Sequence, residues 1–141
     1  MKVAFVCVQN AGRSQMATAF AEREQERRGV EGEIEILTGG TQPADHVHEE
    51  VVQVMRERDI DLSERTPRDI TPEELQETEY VITMGCSAQD VCPATWSGEN
   101  RDWGLDDPDG QNLDDVREIR DEIERRVSAL FDELTAQTGD D

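Results

Sequence analysis

The sequence predicts an α/β domain built on an open parallel sheet with helices on both faces. Residues 2–8 form a continuous apolar run of strand length, which is typical of a central strand covered on both sides. Strand-like and helix-like segments then alternate along the chain in the order β-α-β-α-β-α, the pattern of a parallel α/β sheet. With 141 residues and no internal repeat or linker, residues 1–141 are predicted to form a single domain.

The first half of the chain supplies two strands and two helices. After the first strand, residues 14–28 favour a helix that Gly29 terminates. Isoleucines alternate with acids over residues 33–38, which predicts a second, more exposed strand that ends at Gly39-Gly40. An apolar stripe with helical spacing predicts the second helix over roughly 47–58.

The second half begins with a short helix, for which Thr71-Pro72 provides an N-cap and a proline in the first turn. A third strand follows over 80–84, and a short fourth strand is predicted near 102–105. Asn112 can cap the last helix. The apolar stripe of that helix comprises Leu113, Val116, Ile119, Ile123, Val127, Leu130 and Leu134.

The charge balance excludes several classes of function. Fourteen basic residues stand against 34 acidic ones, which gives a net charge of −20. Nucleic acids and anionic membrane surfaces both require a basic footprint, so neither is predicted as a partner. The chain also has no apolar run near the ~18 residues of a membrane span and no signal-peptide layout, which predicts a cytoplasmic protein. Because the acids are spread over every segment, we interpret the charge as adaptation to a high-salt cytoplasm.

The loop after the first strand carries the clearest chemical motif. Cys7 closes the strand and Arg13-Ser14 begins the helix, which gives the pattern Cys-x5-Arg-Ser. A loop between a strand end and a helix N-terminus directs several backbone N–H groups into one concavity, where a tetrahedral oxyanion fits. The Arg13 guanidinium adds a fork of donors. The predicted oxyanion-binding residues are Val8, Gln9, Asn10, Ala11, Gly12, Arg13 and Ser14.

The same loop predicts a nucleophile. The positive field of the helix N-terminus stabilises a Cys7 thiolate, and the Ser14 hydroxyl can donate a hydrogen bond to it. Asn10 and Gly12 are residue types that tolerate the backbone angles of a tight cradle. A lone cysteine at a strand end would be interpreted as a small buried hydrophobe, but the complete motif favours catalysis. A Walker-type nucleotide loop is excluded, since Gly-Lys-Ser/Thr does not occur here.

Residues 7–17, Cys-Val-Gln-Asn-Ala-Gly-Arg-Ser-Gln-Met-Ala, resemble the active-site loop of the low-molecular-weight protein tyrosine phosphatase superfamily. The likeness continues through Gly39-Gly40-Thr41-x-Pro43, Gly85-Cys86 and the segment 102–108, and within the superfamily it is greatest to the arsenate reductases. This resemblance implies a sheet of about four strands in the order 2-1-3-4.

The resemblance also implies roles for residues outside the loop. Asp107 would protonate the departing oxygen, with Asp106 as the adjacent alternative. Cys86 would attack Cys7, and Cys92 would then attack Cys86 and leave a Cys86–Cys92 disulfide. The external reductant would be a thioredoxin-like protein or a low-molecular-weight thiol, with no bound cofactor. Only five residues separate Cys86 from Cys92, fewer than is usual in thioredoxin-coupled reductases, which leaves the geometry of the relay open.

Two other functions remain open at this point. A phosphatase would use the same loop to hydrolyse phosphotyrosine through a Cys7 phosphocysteine. Such phosphatases carry aromatic residues after Asp-Pro, whereas Asp109 and Gly110 follow Pro108 here. A non-catalytic oxyanion or redox sensor is the third possibility. We predict no metal site, because chance clusters of acids are expected in so acidic a chain.

Overall fold

The structure is a computed structural model that describes residues 1–85, 96–105, 108 and 110–138, with the side chains of 137 and 138 left aside. Its elements in chain order are β1 (Lys2–Cys7), α1 (Arg13–Arg28), β2 (Glu35–Gly40), α2 (Glu49–Arg56), α3 (Pro72–Gln76), β3 (Tyr80–Met84), β4 (Glu99–Asp102) and α4 (Leu113–Thr138).

The four strands form one parallel sheet in the order β2-β1-β3-β4. The predicted strand order is therefore confirmed. In this register Cys7 lies opposite Gly40 on one side and Met84 on the other. The chain leaves β1 at the point where the strand order reverses, which is where parallel α/β sheets bind their ligands.

Helices cover both faces of the sheet, as predicted. On one face Val3 and Phe5 of β1 pack with α1, α2 and α4 in the larger core. On the other face Ala4 and Val6 pack against α3 and the segment before it, through Leu75 and Ile70. The alternation follows from the strand period of two, because successive side chains of β1 point to opposite faces. Both faces are apolar, which accounts for the continuous apolar run in the sequence.

On the outer side of the larger core, arginine–carboxylate pairs link α1, the end of α2 and α4. We call this group the ion-pair face. Glu57 binds Arg117 and Arg120, and Asp121 binds Arg58 and Arg120. The remaining pairs of the group join Glu124 to Arg23 and Arg58.

Two predicted strands lie at shifted positions. The second strand is Glu35–Gly40 rather than 33–38, so Gly39-Gly40 belongs to the strand and does not end it. A Cβ on Gly40 would lie 2.5 Å from the Val8 carbonyl oxygen, so glycine is required there by a close backbone approach. The fourth strand is Glu99–Asp102 rather than 102–105. It is a charged edge strand, which an apolar pattern does not reveal.

The helix predictions hold with small changes in their ends. Gly29 adopts a left-handed conformation with φ 66° directly after α1, as its predicted role as a stop requires. Thr71 caps α3, and the side chain of Asn112 accepts a hydrogen bond from the Asp115 N–H. The second helix is shorter than the predicted 47–58, because the chain turns after Arg56 and reaches φ 63° at Asp59.

Candidate active site

Cys7 lies at the carboxyl end of β1 and is 2 % exposed. Its Sγ is 2.8 Å from the Ser14 Oγ and accepts a hydrogen bond from the Asn10 N–H at 3.2 Å. Both neighbours come from the loop and first helical turn that the motif predicts. The sulfur of this buried cysteine therefore has two polar neighbours, in addition to the apolar side chains of the larger core.

The carbonyl groups of the loop are bound on its outer side by the segment 41–48. The N–H groups of Thr41, Gln42, Ala44 and His48 donate in turn to the carbonyls of Cys7, Val8, Gln9 and Ala11, over distances of 2.7 to 3.3 Å. The imidazole Nε2 of His48 also lies 3.1 Å from the Gln9 Oε1. The segment 41–48 thus fixes which way the peptide groups of the loop point.

The N–H groups of the same loop are left for a ligand. Those of Gln9, Ala11 and Gly12 have no hydrogen-bond partner among the described residues. They precede the N-terminus of α1, whose dipole adds positive potential. Convergent backbone donors ahead of a helix N-terminus form a site for a tetrahedral oxyanion.

Asn10 is the centre of the loop's internal hydrogen bonds. It is fully buried and has φ 52°, the left-handed conformation anticipated for this position. Its Nδ2 donates to the Ser14 Oγ at 2.7 Å and to the Thr38 Oγ1 at 2.9 Å. Its Oδ1 accepts from the Gln15 Nε2 at 3.1 Å and from the Arg68 N–H at 3.0 Å.

These bonds bear on the hydrogen bond between Ser14 and Cys7, in which both the hydroxyl and a thiol are able to donate. The Ser14 Oγ accepts from the Asn10 amide, so its own proton is available for the Cys7 Sγ. The Thr38 hydroxyl likewise accepts from Asn10 and donates to the Phe5 carbonyl at 3.1 Å. Ser14 is therefore able to donate to the sulfur, and it is the donor whenever Cys7 carries no proton.

Arg13 lies between two further segments of the chain. It is 8 % exposed, and its Nη1 donates to the Leu105 carbonyl at 2.9 Å. On its other side is Gly85, where a Cβ would come within 2.8 Å of both terminal nitrogens of the guanidinium. Gly85 also has φ 86°, so glycine suits this position for both conformation and space.

The remaining predicted site residues follow or precede segments that the structure describes. Cys86, Cys92 and Asp107, with the alternative acid Asp106, lie outside the described residues. Gly85, directly before Cys86, touches Arg13. Leu105 and Pro108 bracket the two acids, and Pro108 lies against the loop, since a Cβ on Gly12 would be 2.8 Å from its Cγ.

Sequence reasoning missed three residues of the site: Gln15, Thr38 and Arg68. Thr38 had a usable signal, because a polar residue near the end of a strand beside β1 is placed at the carboxyl edge of the sheet. Arg68 had none, since it contributes a backbone N–H from a turn far along the chain.

Residues 2–139 match the family model of the low molecular weight phosphotyrosine protein phosphatases, and the chain belongs to this family. A Halobacterium salinarum protein, provisionally named an arsenate reductase, is 64% identical over 133 residues, which cover 94% of this chain and 92% of that protein. A glutaredoxin arsenate reductase of Synechocystis is 34% identical over 137 residues, 95% of this chain and 98% of that protein.

Solved structures show the same likeness. A thioredoxin-dependent arsenate reductase of Corynebacterium glutamicum aligns with a TM-score of 0.78 and 32% identity, over 96% of this chain and 62% of that one. An arsenate reductase in a phosphate-binding state aligns with a TM-score of 0.76 and 34% identity, over 94% and 97% of the two chains. A Vibrio cholerae low-molecular-weight phosphotyrosine phosphatase shares the fold at 18% identity, with a TM-score of 0.83 over 97% and 98%.

In the described part of the chain, helices with the length and apolar character needed to cross a membrane are absent.

Proposed function

We propose that this protein is an arsenate reductase, which reduces arsenate to arsenite with Cys7 as nucleophile and Cys86 and Cys92 as a thiol relay. The observation that carries the proposal is the close approach of the Arg13 guanidinium to Gly85, where a Cβ would lie 2.8 Å from its terminal nitrogens. It brings the residue that precedes Cys86 against the side chain that would hold the oxyanion. The names of the relatives at 64% and 34% identity support the same reaction.

Binding comes first in the proposed mechanism. The arsenate oxygens take the N–H groups of Gln9, Ala11 and Gly12 and the guanidinium of Arg13 as donors. Cys7, with the hydrogen bond from Ser14, attacks arsenic as the thiolate and forms a sulfur–arsenic bond. One arsenate oxygen departs as water, with its proton supplied by Asp107. The contacts of Leu105 and Pro108 with Arg13 and Gly12 support this role for Asp107.

Reduction follows and requires two electrons. The Cys86 thiolate attacks the Cys7 sulfur and forms a Cys7–Cys86 disulfide, and the electron pair of the broken sulfur–arsenic bond stays on arsenic, which leaves as arsenite. The Cys92 thiolate then attacks Cys86, which releases the Cys7 thiolate and leaves a Cys86–Cys92 disulfide. An external thiol reductant, of the thioredoxin or glutaredoxin kind or a low-molecular-weight thiol, returns that disulfide to two thiols and takes up the oxidation.

The test is a single turnover of the fully reduced protein with arsenate in high salt, followed by disulfide mapping at peptide resolution and arsenite quantification. The expected products are one arsenite per protein and a Cys86–Cys92 disulfide. Cys7→Ser is the control and should give neither. With Cys92→Ser, the reaction should stop at Cys7–Cys86 with arsenite already released.

Three free thiols and no arsenite, in protein that hydrolyses an aryl phosphate, would overturn the proposal in favour of a phosphatase. Arsenite release from the wild type with a product that stays at Cys7–Cys86 would uphold the reductase and remove Cys92 from the relay.

A further inference from the structure

We propose that Gln15 is a positioning residue, which holds the carboxamide of Asn10 in place for its hydrogen bond to Ser14, the hydroxyl that faces Cys7. The inference rests on the proposed role of Cys7 as a nucleophile. It concerns a side chain outside the predicted oxyanion-binding residues, which acts through two of them, Asn10 and Ser14.

The carboxamide of Asn10 is held at both ends by adjacent residues of one helical turn. Its Nδ2 donates to Ser14, and its Oδ1 accepts from the Nε2 of Gln15, the next residue along the chain. The Arg68 N–H supplies a second donor to the same Oδ1. All the side chains involved are at least nine-tenths buried, so water does not compete readily for these bonds.

The two orientations of Asn10 have opposite consequences for Cys7. In the orientation present, Ser14 accepts from Nδ2 and keeps its proton for the sulfur. If the carboxamide were rotated by half a turn, Oδ1 would face Ser14, and the hydroxyl would donate to Asn10 instead of Cys7. The Arg68 N–H can only donate, so the rotated form would set Nδ2 against it, and this backbone group selects the orientation present. The bond from Gln15 to Oδ1 then holds the selected carboxamide in place for its bond to Ser14.

Stability alone does not account for an amide at position 15. Gln15 is 2 % exposed, and its Oε1 has no hydrogen-bond partner among the described residues. A buried carbonyl oxygen without a donor is destabilising, so an apolar side chain would suit a purely structural position better. The bond from Nε2 to Asn10 is the one polar contact that the structure describes for this amide, and it points to the loop.

The experiment measures the pH dependence of Cys7 alkylation by iodoacetamide in the full-length reduced protein, with peptide-level mass spectrometry to separate Cys7 from the other cysteines. Gln15→Met removes the donor while keeping an unbranched side chain. We expect the midpoint of the pH profile to rise by about one unit, which lowers the alkylation rate below the midpoint about tenfold. Arg68 still holds Asn10 in this variant, so the loss is partial.

Gln25→Met is the matched control, because Gln25 lies on the same helix and donates to the Ile34 carbonyl, far from Cys7. It should lower the melting temperature without moving the pH profile. A second control is the Ser14→Ala background, in which Gln15→Met should shift the profile no further if Gln15 acts through Ser14.

An unchanged profile in Gln15→Met, an equal shift in Gln25→Met, or a full shift in the Ser14→Ala background would each overturn the proposal. Gln15→Leu gives the same comparison if the methionine variant folds poorly. Alkylation requires no arsenate, so a negative result here is separate from any failure of the proposed reductase function.

Discussion

The active-site loop and the ion-pair face hold their geometry by opposite means. In the loop, buried neutral groups bond to one another, as in the contacts of Asn10 with Ser14 and Gln15. On the ion-pair face, charged side chains pair at mostly partly exposed positions, as Glu57 does with Arg117. Salt screens exposed charges but acts little on buried neutral hydrogen bonds. The geometry of the loop should therefore be independent of salt, whereas the stability of the whole domain should depend on it.

The largest expected effect is at the oxyanion site and tests whether the loop can lose function without losing stability. Arg13→Lys keeps the charge but loses the planar fork of donors. We expect kcat/KM for arsenate to fall about 10²–10³-fold, with little change in the melting temperature. Arg23→Lys, the same substitution on the ion-pair face of α1, should leave kcat/KM unchanged. Equal losses of activity in both variants would contradict the separation of the two regions.

An intermediate effect is expected on the ion-pair face, where stability should fall and activity should not. Arg120 is 4 % exposed and binds Glu57, Asp121 and the Val54 carbonyl. Arg120→Met should lower the free energy of unfolding by about 1–3 kcal/mol in low salt, because its partners are left partly desolvated. The activity of each folded molecule should be unchanged.

Denaturant unfolding in low and high salt measures the effect of Arg120→Met, and the loss should shrink as salt screens the pairs. Arg125→Met is the control, since that side chain is 70% exposed and its pair with Glu122 should contribute little. A loss for Arg120→Met that is the same at both salt concentrations would show that packing, rather than charge, is what Arg120 supplies.

The smallest effect is a pH dependence of stability. Hydrogen bonds from Arg117 and then Arg120 lower the pKa of Glu57 from 4.5 to about 2. Because the folded-state pKa is the lower one, Glu57 stabilises the fold at pH values above 4.5, and this contribution disappears as the pH falls towards 2.

The difference in melting temperature between the wild type and Glu57→Gln should accordingly be constant above pH 4.5 and shrink below it. In a background that carries Arg117→Met and Arg120→Met, the same comparison should lose this trend, because both donors to Glu57 are gone. If the difference between the wild type and Glu57→Gln stays constant down to pH 2, the hydrogen bonds from Arg117 and Arg120 do not lower the pKa of Glu57, and Glu57 does not belong to the ion-pair face.

The fold could be predicted where the signal is local. The apolar run of β1, the stop at Gly29 and the cap at Thr71 each depend on neighbouring residues, and each is present. The ends of β2 and β4 could not be predicted in this way. Gly40 is in a strand because it pairs with Cys7 of β1, and β4 is defined by its pairing with β3.

The candidate site divides in the same way. Cys7, Arg13 and Ser14 follow from one short motif, and the structure places Ser14 against Cys7 and buries Arg13 at the start of α1. The side-chain role of Asn10 was not predicted, since only its backbone conformation could be inferred from residue type. Its partners Thr38 and Arg68 are 28 and 58 residues away, a separation that only the folded chain closes.

The attachment of the loop to residues 41–48 has a consequence for how the proposed enzyme selects its substrate. With the peptide groups fixed from outside, the cradle is already formed before any anion arrives, and it is complementary to every tetrahedral oxyanion of similar size. Phosphate, which matches arsenate in shape and charge, must therefore occupy the same place as a competitive inhibitor. The proposed enzyme would therefore distinguish arsenate from phosphate in the redox step, because arsenic accepts the electron pair of its bond to sulfur and phosphorus does not. The turnover of arsenate by the proposed enzyme should then depend on the phosphate concentration as well as on that of arsenate.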